Sequence, residues 1–589
     1  MWKSLKAGAA CVLLLVVTAC NQSTPPPPKA AGPSPASAAW LKLSGAFIQD
    51  YMQAQPFFAV QAGRHEFDGQ LPDVSAHGIK REIARLHDQR EQISAVDPNT
   101  LQPRERFDRA YLLAVLDKDL FWIEKTPFPF SNPGWYLPQL DPDVYLSRNY
   151  APLDVRMKAY IKYARGVPRM ATAIKENLKS PLPKPYVELG IAQFGGLADF
   201  YTKNVSAVFA SVSDPDLQKQ LSDADANAAA AMTSLKDYLV AERKNANDKY
   251  AFGPDLFAQM VKQTEQVDLG LDQIEAAGRA DLDRNTAALK AECSTYAPKA
   301  ALAQCVAKMA ANKPKGGPVE DARNQLKMLK EFIVQNNVAS IPSDDEALVA
   351  EAPPYNRSNA AFINTAGPYE KGVVSIYNIA PPDPKWSKAE QAAYIPGEAA
   401  LLFTSVHEVW PGHFLQFLHS NANPDKLEAL WVGYAFAEGW AHYCEEMMVE
   451  MGLGKGDSEK HIGQISEALL RDVRLLSAIG LHTHGMTIAQ SEKMFREQAF
   501  QDPGNARQQA ARGTYDPAYL NYTLGKLMIR KLRADWLAKG AAAGANAAGA
   551  NAADTARWHE FHDKFLSYGG PPIPLLRKEL LGEDGGSLL

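Results

Sequence analysis

Apolar residues recur at three- and four-residue intervals along most of this chain, the spacing that gathers them on one face of an α-helix. Ser213 to Lys249, with Pro215 just inside its start, and Leu271 to Ala311, interrupted at Pro298, are rich in Ala, Leu, Lys, Gln and Asp. Both predict long antiparallel helices. Ser387-Lys388-Ala389-Glu390 reads as a capping box opening a short helix. Pro396-Gly397 then punctuates the chain before a helix that carries His407. Only Lys371 to Asn378 reads as a strand, being β-branched and aromatic between a glycine and Pro381-Pro382. Pro127 to Tyr150, aromatic and proline-rich, fits a packed irregular wall, and Ala538 to Ala553 a flexible surface insertion. The pattern predicts a mainly α fold with a small β edge near the His407 helix.

The N-terminus follows different rules. Met1-Trp2-Lys3 and Lys6 precede an apolar run, Ala7 to Val17, of signal-peptide rather than membrane-spanning length. Val17-Thr18-Ala19-Cys20 resembles the lipobox of bacterial lipoproteins, in which Cys20 carries the lipid; the alternative is ordinary cleavage after Ala19. Asn21 resembles the outer-membrane sorting pattern. Ser23 to Ala39 is too proline-rich to pack and suits a tether. The expected organisation is a signal peptide over 1–19, a tether over 20–39 and a single helical domain over 40–589, placing the protein in the periplasm, lipid-anchored at the outer membrane.

Composition narrows the class. The 589 residues are 46% hydrophobic, with a formal charge of −5, so a large core is available. Weak acidity and the lack of a basic run argue against a nucleic-acid partner. After Cys11 leaves with the signal and Cys20 takes the lipid, Cys293, Cys305 and Cys444 remain. In an oxidising compartment Cys293 and Cys305 can close a loop across Ser294 to Gln304, or stand as separate buried thiols. Cys444 reads as a packing residue.

The chemistry concentrates in Val406-His407-Glu408-Val409-Trp410-Pro411-Gly412-His413. In H-E-x-x-H, two histidines one turn apart face one metal, and the glutamate beside the first acts on the water the metal holds. Here the histidines are six apart, with Pro411 and Gly412 in the gap. A bulge within the helix that absorbs two residues would restore the shared face.

His407-Glu408 followed by Pro411-Gly412-His413 resembles the H-E-x-x-P-G-H motif of the bacterial domain-of-unknown-function 885 family, itself similar to gluzincin metallopeptidases. That resemblance implies a large two-lobed helical metallopeptidase-like fold with its active-site region over 370–530. It implies a third ligand, Glu438 in Phe436-Ala437-Glu438-Gly439-Trp440-Ala441, reached through a turn at Ser420 to Pro424. It makes Lys371 to Asn378 the edge that pairs an extended substrate, or an edge without that role. Gly480-Leu481-His482 resembles the family's G-L-H block, although Ala478 and Met486 stand where members often carry aspartate and tryptophan. His482 lines the site, or His484 does, or His482 is a core histidine. Tyr515-Asp516-Pro517 opens a helix with Asp516 as N-cap. Tyr522 and Gly525 match the family's Y-x-x-G, with Tyr522, or Tyr519 three residues earlier, donating to an oxyanion.

The expected site is one Zn2+ on His407, His413 and Glu438, with Glu408 as general base and Tyr522 and His482 as further catalytic groups. His442 and Glu445 orient the ligands or form a polar pair elsewhere. The expected function is a zinc-dependent peptidase acting on short peptides outside the cytoplasm. The alternatives are an amidase on a non-peptide substrate and a non-catalytic binding lipoprotein.

Overall fold

The computed structural model describes residues 34–354, 356–357, 359–542, 552–582 and 586–589. The expected signal peptide and Cys20 lie outside them. Ser34 caps a helix over Pro35–Ala54 by accepting the Ser37 N–H, so the end of the expected tether is already helix. Trp40, Phe47 and Met52 bury that helix's inner face. Most of the buried apolar residues from Trp40 to Leu576 form one contiguous core, beside a small second cluster of Phe128, Tyr186, Tyr250 and Leu481.

Helices over Leu153–Asn177, Lys184–Lys203 and Pro215–Glu242 pack side by side. The last begins where Pro215 predicted, because Asp214 accepts the N–H groups of Asp216 and Leu217. The next expected helix is split: Leu271–Tyr296 and Leu302–Ala311 flank Pro298. Cys293 and Cys305 join the two as a disulfide. Among the described residues no helix is long and apolar enough to cross a membrane.

Three strands form the sheet, β1 (Ala347–Glu351), β2 (Ala361–Asn364) and β3 (Ser375–Ile379), in the order β1-β3-β2. β1 runs parallel and β2 antiparallel to β3, with Tyr377 paired to Val349 on one side and Ile363 on the other. The expected edge strand is therefore central. The physical reason is burial: Ser375, Tyr377, Asn378 and Ile379 are all buried, as a strand paired on both sides requires. β1 and β2 are short and only partly buried, and their weak alternation hides them in sequence.

Pro127 to Tyr150 is more regular than expected. It contains helical turns over Phe128–Ser131, Pro133–Leu140 and Asp143–Ser147, with prolines at the helix starts where they are tolerated. Of the expected insertion, 538–542 continue the helix Asn521–Ala542 and Ala552 begins the next. Residues 543–551 lie outside the described ones.

Two crossings position the site. The helix over Tyr434–Glu450, which carries Glu438, lies against Asn521–Ala542, which carries Tyr522. A Cβ on Gly439 would stand 2.5 Å from Gly525 Cα, and one on Gly525 2.2 Å from the Ala435 carbonyl oxygen. Both must be glycine for these backbones to touch. The helix over Ser458–Thr483 packs on the His407 helix, Glu398–Glu408.

Candidate metal centre

The His407 helix ends at Glu408, and a second helix, His413–Ala422, starts at the second histidine. The expected bulge inside one helix is thus a break over Val409 to Gly412. The Val409 and Trp410 N–H groups both reach the Ser405 carbonyl, at 3.0 and 3.3 Å, and Gly412 N–H reaches Val406, at 3.0 Å. The hydrogen-bonded span widens from four residues to five and then six, which is how two extra residues are taken up. A Cβ on Gly412 would lie 1.8 Å from the His407 carbonyl oxygen; no other residue fits there. From the Glu438 helix, the Trp440 indole N–H donates to the Pro411 carbonyl at 2.9 Å, and buried Cys444 packs on the same oxygen at 3.7 Å.

The break brings the two imidazoles together. Their ring centres are 4.9 Å apart and the rings perpendicular. His407 Nε2 and His413 Nε2 lie 3.2 and 3.3 Å from the same Glu438 oxygen. Ligand atoms of all three residues fall within 4.8 Å of one another, close enough to hold one metal ion.

The surroundings orient these groups. His407 Nδ1 donates to Glu445 at 2.7 Å, which leaves Nε2 facing Glu438. Glu445 also meets His442 Nδ1 at 3.2 Å and Arg471 at 3.4 Å, and is fully buried. Burial disfavours its charge, but Arg471 and His442 hold its carboxyl well below the usual range. Burial likewise opposes charge on His407, yet hydrogen bonds to Glu438 and Glu445 raise its pKa to about 9. Glu438 is held well below the usual range, because His413 and His407 outweigh its burial. His413 Nδ1 is buried without a hydrogen-bond partner. Two imidazole nitrogens and one carboxylate, with a carboxylate behind His407, could hold a divalent metal ion.

The arrangement opens into a cavity of 1360 Å³, more than a drug-sized ligand needs. Its walls include the helix Leu302–Ala311, strand β2, and the helices over Ser458–Thr483, Ile488–Gln498 and Pro503–Tyr515. Glu408 lines it beside the three ligand candidates. Burial raises its pKa, against the pull of His407 and His413. Tyr522 also lines it, its ring stacked on His407 with 6.0 Å between centres, its hydroxyl accepting from Arg512 at 3.4 Å.

Other expected residues lie elsewhere. His482 is buried with both nitrogens satisfied, Nε2 donating to Gly513 at 2.8 Å and Nδ1 accepting from Phe252 at 3.2 Å. It packs among aromatic rings away from the cavity lining, a core histidine whose pKa burial lowers to about 4. His484 is exposed against Glu275. The Tyr519 hydroxyl is spent on Ser477 at 3.0 Å. Asp516 precedes a short 3₁₀ turn, Pro517–Leu520, but its side chain does not cap it. It accepts from Tyr434 and Arg512 instead, both at 2.9 Å. Sequence reasoning missed β2, Arg471, Arg474 and Arg512 on the cavity walls. Glu467, Arg471 and Arg474 follow at i, i+4 and i+7, a helical face that could have flagged them. A second acidic group, Asp108, Asp425 and Glu428, has no histidine and is already met by Arg104 at Glu428.

A mainly helical protein with a small sheet and a His-His-Glu group at the floor of a large cavity is the class this defines. The chain belongs to the family described as bacterial protein of unknown function (DUF885), which matches residues 56–580. Two solved structures share the fold. One is a protein from Shewanella oneidensis described as a candidate lipoprotein of unknown function, 23% identical, TM-score 0.71, covering 92% of this chain and 99% of that one. The other is a protein from Colwellia psychrerythraea described as a candidate lipoprotein, 17% identical, TM-score 0.77, covering 92% and 98%. A carboxypeptidase from Pyrococcus furiosus, 12% identical over 81% of this chain and 94% of that one, has a TM-score of 0.32 and supports no argument. No curated protein matches the chain.

Proposed function

We propose that this protein is a zinc-dependent peptidase that hydrolyses short peptides outside the cytoplasm. One observation carries the reading: His407, His413 and Glu438 converge at the floor of a peptide-sized cavity, with Glu408 lining it beside them. Two imidazoles and a carboxylate with no thiolate suit zinc. Held by these three side chains, the ion would polarise the scissile carbonyl and make a water molecule more acidic. Glu408 takes the proton of the attacking water and passes it to the leaving amine. The Tyr522 hydroxyl already accepts from Arg512, which frees its own proton for the oxyanion. Glu445, His442 and Arg471 act through His407 by fixing its ring. β2, as the outer strand of the sheet on the cavity wall, offers main-chain groups to an extended peptide.

The lipobox at Cys20 and the two lipoprotein-like relatives of the same fold support an anchor at the membrane through an N-terminal lipid. The test is elemental analysis of the chain from residue 34 onward, followed by digestion of a mixed peptide library before and after chelation. Stoichiometric zinc and chelator-sensitive cleavage are expected. Zinc with no cleaved peptide would move the assignment to a non-peptide amide or a binding role.

A further inference from the structure

Glu467, Arg471 and Arg474 fall at i, i+4 and i+7 of the helix Ser458–Thr483, so all three side chains present one face, and all three line the cavity. Arg512 joins them from the helix Pro503–Tyr515. These guanidiniums are not equivalent. Arg471 is paired with Glu445 and Glu467, and Arg512 with Asp516. Arg474 has no carboxylate partner among the described residues. Its Nε donates to the Gln509 side chain at 2.8 Å, its guanidinium carbon lies 4.5 Å from the Tyr522 ring centre, and the guanidiniums of Arg512 and Arg471 repel its charge. Yet the residue is only 7% exposed.

A guanidinium cannot shed its proton to escape burial. An unpaired buried charge among like charges is costly and persists where a ligand of opposite sign completes it. Gln509 occupies the Nε edge, and the two terminal nitrogens remain as a fork for a carboxylate, which binds them in a bidentate way. The distance is informative. The Tyr522 ring centre lies 4.5 Å from the Arg474 guanidinium carbon and 6.0 Å from the His407 ring centre. The guanidinium is therefore within about 10.5 Å of His407, roughly three residues of extended chain at ~3.5 Å each.

We propose that Arg474 binds the free C-terminal carboxylate of the substrate, so that cleavage falls one to three residues from the C-terminus. This rests on the peptidase reading for its second half only; the carboxylate site stands on Arg474 itself. Arg474 is then the residue that selects substrates by their end, and Gln509 positions it.

The experiment uses the metal-free protein and the zinc-loaded protein with three octapeptides of one Ala/Phe sequence: the C-terminal acid, its C-terminal amide, and the amide with glutamate at the penultimate position. Titration calorimetry on the metal-free protein should show the acid bound at least about 30-fold more tightly than the amide, the range for removing one partner of a buried charge pair. Arg474→Met should erase that ratio, and the comparison of acid with amide in the wild type needs no variant to fold. With zinc, products should be shortened by one to three residues from the C-terminus. Equal binding of acid and amide, a ratio that survives Arg474→Met, equal binding of the glutamate amide, or release from the N-terminus would each overturn the proposal. Acid selectivity without cleavage of any peptide would leave the carboxylate site standing and remove the peptidase reading. Cleavage of acid and amide alike would do the reverse.

Discussion

Gly525→Ala probes the helix crossing that sets Tyr522 opposite Glu438. The added Cβ would lie 2.2 Å from the Ala435 carbonyl oxygen and 2.7 Å from Gly439 Cα. Ordinary contact between such atoms is about 3.5–4.0 Å, so the two helices must separate by about 1 Å. The obstacle is backbone on both sides and cannot rotate away. Overpacking of this kind costs about 1–3 kcal/mol, partly offset by the ~1 kcal/mol by which alanine outperforms glycine inside a helix. A net loss of up to about 2 kcal/mol is small beside the functional effect. Glu438 is adjacent to Gly439, and a misplacement of about 1 Å costs on the order of 10²-fold in rate. The assay is a thermal melt, zinc titration and peptide cleavage on one preparation. The expected result is a Tm lower by a few degrees, weakened zinc binding and cleavage down by about 10²-fold. A melting temperature and zinc affinity equal to or above wild type would refute the claim that this crossing requires two glycines.

Four further outcomes are expected. Glu445→Gln removes the acceptor behind His407 Nδ1 and a counter-charge of Arg471, so zinc affinity should fall by about 10–100-fold; unchanged affinity would show that the ring is held by packing alone. Replacing Cys293 and Cys305 by serine should destabilise the chain by about 3 kcal/mol, the scale for a short closed loop, read as a lower denaturant midpoint with intact zinc binding. His482 should add pH dependence. Its pKa falls from about 6.5 unfolded to about 4 folded, so its contribution is full above pH 6.5 and is lost as pH falls towards 4, about 3 kcal/mol in all. His482→Gln should narrow the drop in Tm between pH 7.5 and 5, and an equal or larger drop would argue against a buried neutral imidazole. Cys20→Ser should release the protein from the membrane fraction, and an unlipidated Cys20 in the wild type would contradict the anchor.

The candidate metal group was legible because its side chains announce themselves by type. His407, His413 and Glu438 sit in short blocks whose glycines, 412 and 439, have backbone reasons for being there. What proline and glycine do between the histidines was legible in kind and not in form, since sequence does not say whether a helix swells or stops; here it stops at Glu408. Glu445 and His442 had two readings, and only burial against His407 and Arg471 separates them. His482 misled because a histidine in a block that resembles a family motif is equally suited to bonding two main-chain groups in a core. β3 was found, but its place in the sheet depends on β1 and β2, whose four or five half-buried residues carry little pattern. Arg474 was unreadable because its lack of a carboxylate partner among the described residues is a property of the folded neighbourhood alone.

In the proposed mechanism Glu408 works on a substrate held at a metal that it does not itself bind. The most direct test measures zinc content and peptide cleavage on the same preparations of wild type and Glu408→Gln. Glutamine keeps the volume and leaves His407, His413 and Glu438 intact, but it cannot take a proton from water. The account predicts one zinc per chain in both proteins, equal melting temperatures, and cleavage lowered at least about 10²-fold in the variant. Undiminished cleavage by Glu408→Gln, or loss of its zinc, would contradict it.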